Sequence, residues 1–221
     1  MGYEFDFSFL WNYGPLIVEG LLGTLIISTV ATAIGMVIGV GGAAMRLYAG
    51  HFLSSLVGFY VEIVRNTPFL VQLFLFYFGL PLVGLRLDAN TSAVVAMAFN
   101  VGAYSIEIIR AGLVSIPQGQ IEAGAALGLS GYQIFRDVML LPALRGVYPS
   151  LTSQFILVML TSSVVSVVSA TDLTAAANDI ASLTFHSFEI YVVITLIYLL
   201  MTMVFVLLFD VIERHLFRFA H

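Results

Sequence analysis

The chain has 221 residues, of which 60% are hydrophobic and only 10% charged, and it contains no cysteine. Soluble domains are less apolar and carry about 25% charged residues, so this composition indicates an integral membrane protein. Without cysteine, disulfides and thiolate chemistry are excluded, and a net charge of −5 with no basic block gives no electrostatic basis for binding nucleic acid.

Long stretches without charged residues mark the predicted membrane spans, because a charge at mid-bilayer is costly. Each stretch reaches the roughly 17–25 residues that a helix needs to cross the hydrocarbon core. The shorter uncharged stretch 47–61 contains His51 and is predicted to lie at the interface. We therefore expect one all-α membrane domain with five transmembrane helices, at about 17–45, 66–85, 90–111, 146–170 and 188–210.

The arginines are distributed unequally between the two sides that five spans would create. Only Arg86 falls on the side of the N-terminus, which instead carries the acids Glu4 and Asp6. The positive-inside rule then predicts an external N-terminus and a cytoplasmic C-terminus. An acidic N-terminus is also unlike a cleavable signal, so we expect the first span to be retained. The predicted cytoplasmic arginines are Arg46, Arg65, Arg110, Arg136, Arg145, Arg214 and Arg218.

Two local patterns in the spans predict specific contacts. Gly35 and Gly39 have the GxxxG spacing that lets helix backbones approach closely, with a helix of this chain or of a partner. The segments "EIVR" at 62–65 and "EIIR" at 107–110 each place a glutamate and an arginine three residues apart on one helix face. These pairs, Glu62 with Arg65 and Glu107 with Arg110, are predicted to anchor helix ends or to gate a path.

The segment 117–145 interrupts the apolar pattern and is predicted to form two short helices joined by a sharp corner. Gly128 suits the left-handed position that ends the first helix, and Ser130 suits the N-cap of the second. Pro142 is expected to end or kink that second helix. The first helix offers Glu122 and a row of small residues instead of the basic face of a lipid-binding helix. It therefore predicts a docking surface for another protein.

Several motifs together resemble one family. "EAGAALG" at 122–128 resembles the EAA loop of the membrane subunits of ATP-binding-cassette importers. The stretches "VEIVRNTPFLVQLFLFYFGLP", "AYSIEIIRAGLVSIPQGQIEAGAALGLS" and "LPALR" resemble the polar amino acid uptake branch, of the histidine and glutamine permease type. The resemblance covers most of residues 15–215 and implies a type I importer-like fold. It also implies that Glu122, Ala123 and Gly128 couple the chain to an ATPase.

The sequence departs from the family pattern at three places. Gly124 replaces the usual second alanine of the loop, and Pro142 lies one residue later than usual. The Lys-Asp pair that many relatives carry before the Thr-Ser is missing before Thr161. This last difference weakens any substrate assignment taken from carriers of charged amino acids.

The resemblance implies an importer powered from outside the chain, in the bacterial inner membrane. The chain has no lysine and no phosphate-binding loop, so ATP and Mg²⁺ are expected in a separate ATPase subunit. Its four histidines show no metal-ligand spacing. The expected partners are a cytoplasmic ATPase dimer, a second permease subunit (a copy or a homologue), an external solute-binding protein and a polar amino acid.

Polar side chains within the predicted spans are candidates for the substrate path, although each is also suited to a helix–helix hydrogen bond. An importer of opines or related nitrogen compounds would use the same architecture. A passive channel and a non-transporting scaffold subunit are the alternatives from other classes. The candidate path residues are Gln72, Asn100, Tyr104, Glu107, Gln154, Thr161, Ser162 and Ser163.

Overall fold

The computed structural model describes residues 5–217, and all regular structure in that range is helical. The helices follow one another with short connections, as expected for a membrane bundle. In chain order they are α1 (Leu10–Tyr48), α2 (His51–Arg65), α3 (Phe69–Val83), α4 (Ala89–Val114), α5 (Gln118–Ala126), α6 (Gly131–Val168), α7 (Leu173–Thr184) and α8 (Ser187–Leu216).

Four of these helices, α1, α4, α6 and α8, are individually long and apolar enough to cross a membrane. Helices α2 and α3 pass the same test only as a pair, and they are bent by 108° at the short break between them. The described chain therefore has four spans, or five when the bent pair is counted as one. The span predicted at 66–85 corresponds to the shorter helix α3, which changes from α-helical to π-helical at Leu75 and to 3₁₀ at Leu80.

The packing of α1 on α4 forms the centre of the bundle. A Cβ atom added to Gly35 would lie 2.7 Å from the side chain of Val101, and one added to Gly39 would lie 2.5 Å from Cβ of Ser105. Both glycines are buried. The GxxxG pair therefore packs against a helix of this same chain, because only residues without a side chain fit at this crossing.

Helix α7 lies across the end of the bundle where α1 begins. Its N-cap, Asp172, is buried and accepts hydrogen bonds from the backbone N–H groups of Thr174 and Ala175. Burial raises the pKa of the Asp172 carboxyl above its usual value near 3.8, although these hydrogen bonds oppose the change. The hydroxyl of Thr24 in α1 accepts from the N–H of Leu173 at 3.0 Å, which fastens α7 to the bundle.

Of the two outcomes predicted at Pro142, an end or a kink of the helix, the end is wrong, because helix α6 continues through the proline. The helix runs from Gly131 to Val168, with a π-helical stretch over Ile134–Leu140 immediately before the proline. A proline in a helix removes one backbone hydrogen bond and its ring clashes with the preceding turn. The wider π turn accommodates the ring, so the helix continues into the predicted fourth span.

Candidate functional site

The segment predicted to dock a partner lies at the end of the bundle where α1 and α4 finish. A cavity of about 140 Å³ separates the ends of those helices from the start of α6. Its walls are apolar and include Ala44 of α1, Leu113 of α4 and Phe135 of α6. Helix α5 follows α4 in the chain and packs on the start of α6, whose Phe135 lines this cavity.

Helix α5 ends in a Schellman motif. Gly128 has φ +77°, the left-handed conformation that glycine adopts without a steric cost. Its N–H donates to the carbonyl of Ala125 at 3.0 Å, and the N–H of Leu129 donates to the carbonyl of Gly124 at 3.1 Å. The left-handed glycine predicted at this position is confirmed.

The corner after α5 is completed by the start of α6. Ser130 accepts from the N–H of Gln133, and the Gln133 side chain accepts from the N–H of Ser130. This reciprocal arrangement is a capping box, so the N-cap predicted at Ser130 is also confirmed.

The two faces of α5 differ sharply. Glu122 and Ala123 are exposed, whereas Gly124 is buried against α6. A Cβ atom on Gly124 would lie 3.2 Å from the Ile134 side chain, so the glycine lets α5 sit directly on α6. Gly124, a departure from the family pattern, thus lies in the contact between α5 and α6, where a Cβ atom would require the Ile134 side chain to shift by a few tenths of an ångström. The result is a thin helix with an exposed acidic outer face.

A small polar cavity lies between α3, α4 and α6. Its volume is about 30 Å³, and its polar lining groups are Asn100, Gln154 and Thr161. The neighbouring serines are turned toward their own helix: Ser162 donates to the carbonyl of Met159 at 2.7 Å, and Ser163 donates to that of Leu160 at 2.8 Å. Three candidate path residues therefore share one cavity, and the two serines bond to the backbone.

Gln72 is buried where α2 bends into α3. Its side-chain Nε2 donates to the carbonyl of Val64 at 2.8 Å and to the carbonyl of Thr67 at 3.0 Å. Its Oε1 accepts from Nδ2 of Asn100 at 3.0 Å. Both amide hydrogens of Gln72 are thus used within the chain. Thr67, absent from the predicted site, is the residue that completes this arrangement.

One of the two predicted ion pairs is formed. Arg110 Nε lies 2.7 Å from the Glu107 carboxylate, with both side chains half-buried. The pair predicted between Glu62 and Arg65 is not formed. The Arg65 guanidinium lies over the ring of Tyr104, 5.5 Å from its centroid, and Glu62 accepts instead from the amide of Asn66. The attraction between the Arg65 guanidinium and the ring of Tyr104 explains why Arg65 does not pair with Glu62.

Comparison with known proteins agrees with this architecture. A family described as the binding-protein-dependent transport system inner membrane component matches residues 31–218. The chain belongs to this family. It is therefore a permease subunit of an ATP-binding-cassette importer, a substrate-translocating membrane protein and not an enzyme.

Individual relatives cover nearly the whole of this permease. The glutamine transport system permease protein GlnP of Escherichia coli K12 is 36% identical over 215 residues, covering 96% of this chain and 98% of the relative. The nopaline transport system permease protein NocM of Agrobacterium fabrum is 36% identical over 209 residues, covering 90% and 87%. A crystal structure of an amino acid ABC transporter with histidines contains a similar chain, with a TM-score of 0.90, 37% identity and coverage of 96% and 100%.

Proposed function

We propose that this permease moves a polar amino acid, with glutamine as the first candidate, across the bacterial inner membrane by alternating access. The observation that supports this proposal best is the geometry of α5. This thin helix exposes Glu122, ends at the left-handed Gly128 and packs on the long helix α6. Helix α6 also supplies Gln154 and Thr161 to the small polar cavity. Movement of α5 by a partner would therefore act on the helix that lines the candidate path. The glutamine permease of Escherichia coli supports the choice of solute.

The proposed orientation places α5 in the cytoplasm and the N-terminus outside. It follows from the arginines, because positively charged residues accumulate on the cytoplasmic side. Arg46 ends α1 and Arg214 lies in the last turn of α8, both at the end of the bundle that holds α5. Arg86 lies between α3 and α4, at the opposite end. Arg218 is also predicted on the cytoplasmic side and lies outside the described residues.

The proposed partners follow from this orientation. A cytoplasmic ATPase dimer, which holds ATP and Mg²⁺, would receive Glu122, Ala123 and the Gly128 corner of this chain. A second permease subunit, identical or homologous, would complete the translocation path. An external solute-binding protein would deliver the solute to the end that carries α7.

The proposed path runs along α4 and α6. Asn100 contributes to the polar cavity, and Glu107 and Arg110 lie further along α4 toward its cytoplasmic end. In the gating proposal, Glu107 exchanges Arg110 for the ammonium group of the solute as the path opens, since both partners are cations. The remaining proposed path residues are Gln72, Tyr104, Ser162 and Ser163.

A charge reversal on α5 tests the coupling. In a complex reconstituted with its ATPase, its second permease subunit and its external solute-binding protein, Glu122→Lys should abolish copurification of the ATPase and ATP-driven uptake of glutamine. Asp179→Lys is a matched control for copurification of the ATPase, because Asp179 is an exposed acid on α7 at the opposite end of the bundle. Full copurification and uptake by the Glu122→Lys complex would reject the coupling proposal, and uptake without ATP hydrolysis would favour a passive channel.

Opines remain a second candidate solute, because the nopaline permease of Agrobacterium fabrum is as identical to this chain as the glutamine permease. A competition assay distinguishes glutamine from an opine as the solute. If glutamine is the solute, unlabelled nopaline in tenfold excess should leave glutamine uptake intact, whereas efficient competition by nopaline would favour the opine interpretation.

A further inference from the structure

Gln72 has a position that its role as a path residue does not explain. It is 5% exposed and lies beside the bend between α2 and α3. Besides the carbonyls of Val64 and Thr67, its Nε2 contacts the hydroxyl of Thr67 at 2.9 Å. That hydroxyl donates its own hydrogen to the carbonyl of Ile63 at 2.9 Å, so it can only accept from Gln72.

These partners fix which way the Gln72 amide points. Backbone carbonyls accept hydrogen bonds and never donate them, so the NH₂ group of Gln72 must face Val64 and Thr67. Its Oε1 must then face α4, where only a donor can satisfy it. Asn100 supplies that donor, with its Nδ2 at 3.0 Å from Oε1.

The orientation of Gln72 therefore determines the orientation of Asn100. Gln72 accepts one of the two hydrogens on Nδ2 of Asn100, which turns Oδ1 to the opposite side of the carboxamide, and Asn100 also lines the polar cavity with Gln154 and Thr161. An oxygen in that position accepts a hydrogen bond from an N–H group. A reversed amide would present a donor there and would favour a carboxylate or carbonyl instead.

We propose that Gln72 is a positioning residue that makes Asn100 present an acceptor to the cavity, which selects solutes carrying an N–H donor, such as an ammonium or a side-chain amide. The proposal rests on the proposed function, since it concerns the same path. In it, Gln72 does not contact the solute and acts through Asn100.

A double-mutant cycle tests this dependence. The variants are Gln72→Met, Asn100→Leu and the two combined, each close in volume to the residue replaced. They are compared in proteoliposomes containing the permease with its ATPase and second permease subunit, with glutamine as the solute. Gln72→Met should raise the half-saturating glutamine concentration about tenfold, the effect of roughly one lost hydrogen bond, and change the maximal rate less. In the Asn100→Leu background, the same change should add less than about a twofold increase, because the group that Gln72 orients is already absent.

The proposal would be overturned if the increases in half-saturating concentration caused by Gln72→Met and Asn100→Leu multiplied in the double variant. It would also be overturned if Gln72→Met lowered only the maximal rate. If Gln72→Met does not assemble, Gln72→Glu decides, because a glutamic acid that burial keeps protonated donates its one hydrogen to Val64 or Thr67 and still accepts from Asn100. A half-saturating concentration near that of the wild type, despite lower thermal stability, would support positioning. An increase as large as that of Asn100→Leu would contradict it. A wild-type complex that transports no amino acid would instead count against the proposed function.

Discussion

Two segments of the chain each contain a proline, and their helices respond in opposite ways. At Pro68 the helix stops and α3 starts at 108° to α2, whereas α6 passes Pro142 without a break. The proline ring is the same in both places. The side chains around it differ, and that difference decides whether the helix breaks or continues.

At the first site, polar side chains take over the backbone groups that the break exposes. The amide of Asn66 donates to the carbonyl of Glu62, the hydroxyl of Thr67 donates to that of Ile63, and Gln72 donates to that of Val64. The last carbonyls of a helix need such donors, because they have no partner within the helix. Around Pro142 the neighbours Leu140, Leu141 and Ala143 offer none, so the helix widens into a π turn and keeps its own hydrogen bonds.

The corner at Gly128 should show the largest effect, because the chain turns there on a residue in the left-handed conformation. Gly128→Val places a β-branched residue at φ +77° and should lower the free energy of unfolding by about 2 kcal/mol. Thermal unfolding of the purified permease measures this loss. Gly131→Ala is the control, because nothing lies within 4 Å of a Cβ atom at that position. Equal melting temperatures for the two variants would show that the corner does not depend on glycine.

These regions also show how much the sequence can reveal. The left-handed Gly128, the cap at Ser130 and the close packing at Gly35 and Gly39 were all predictable, because each depends on a few adjacent or periodic residues. The continuation past Pro142 was not predictable, because the π turn that accommodates the proline has no signature in the adjacent residues. The bond between Gln72 and Asn100, which are 28 residues apart, likewise exists only in the folded chain.

The two prolines themselves provide the next test. Pro142→Ala should allow an ordinary α-helix over 134–140 and stabilise the permease by on the order of 1 kcal/mol, part of the roughly 3 kcal/mol that an interior proline costs a helix. Pro68→Ala should instead cause a small loss of stability. Side chains maintain the break whether or not the proline is present, and alanine increases the conformational entropy of the unfolded chain. Unfolding in denaturant compares the two variants. A larger gain from Pro68→Ala than from Pro142→Ala would reverse the interpretation given above.

Removal of one cap should have a smaller effect. Thr67→Val deletes the hydroxyl that bonds both Ile63 and Gln72, and it should cost about 0.5–1 kcal/mol, since water reaches this exposed residue and replaces part of the loss. Thr195→Val is the matched control, because its hydroxyl only donates to the carbonyl of Tyr191 one turn back. Indistinguishable melting temperatures for the two valine variants would argue that the break does not need its cap.

The smallest effect is expected at Asp172, where the cap is a buried carboxyl. The pKa of this carboxyl is raised in the folded chain, so folding favours its protonated form. The wild type therefore gains stability as the pH falls from 7 toward the usual aspartate pKa near 3.8. An asparagine side chain caps a helix as well as an aspartate does, and it has no carboxyl to titrate. Asp172→Asn should therefore be more stable than the wild type at pH 7, by less than about 1 kcal/mol.

The measurement is the melting temperature of both proteins between pH 7 and pH 4. The advantage of Asp172→Asn should shrink steadily as the solution is acidified. An advantage that grows on acidification would mean that the carboxyl is stabilised in its charged form.

The unbroken helix α6 has a mechanical consequence. Its 38 residues rise by about 1.5 Å each, so α6 is roughly 57 Å long and extends from the contact with α5 to the start of α7. A tilt of about 5° over that length displaces the far tip by roughly 5 Å. A proline that ended this helix would have shortened it, so the π turn keeps one continuous helix between the contact with α5 and the start of α7.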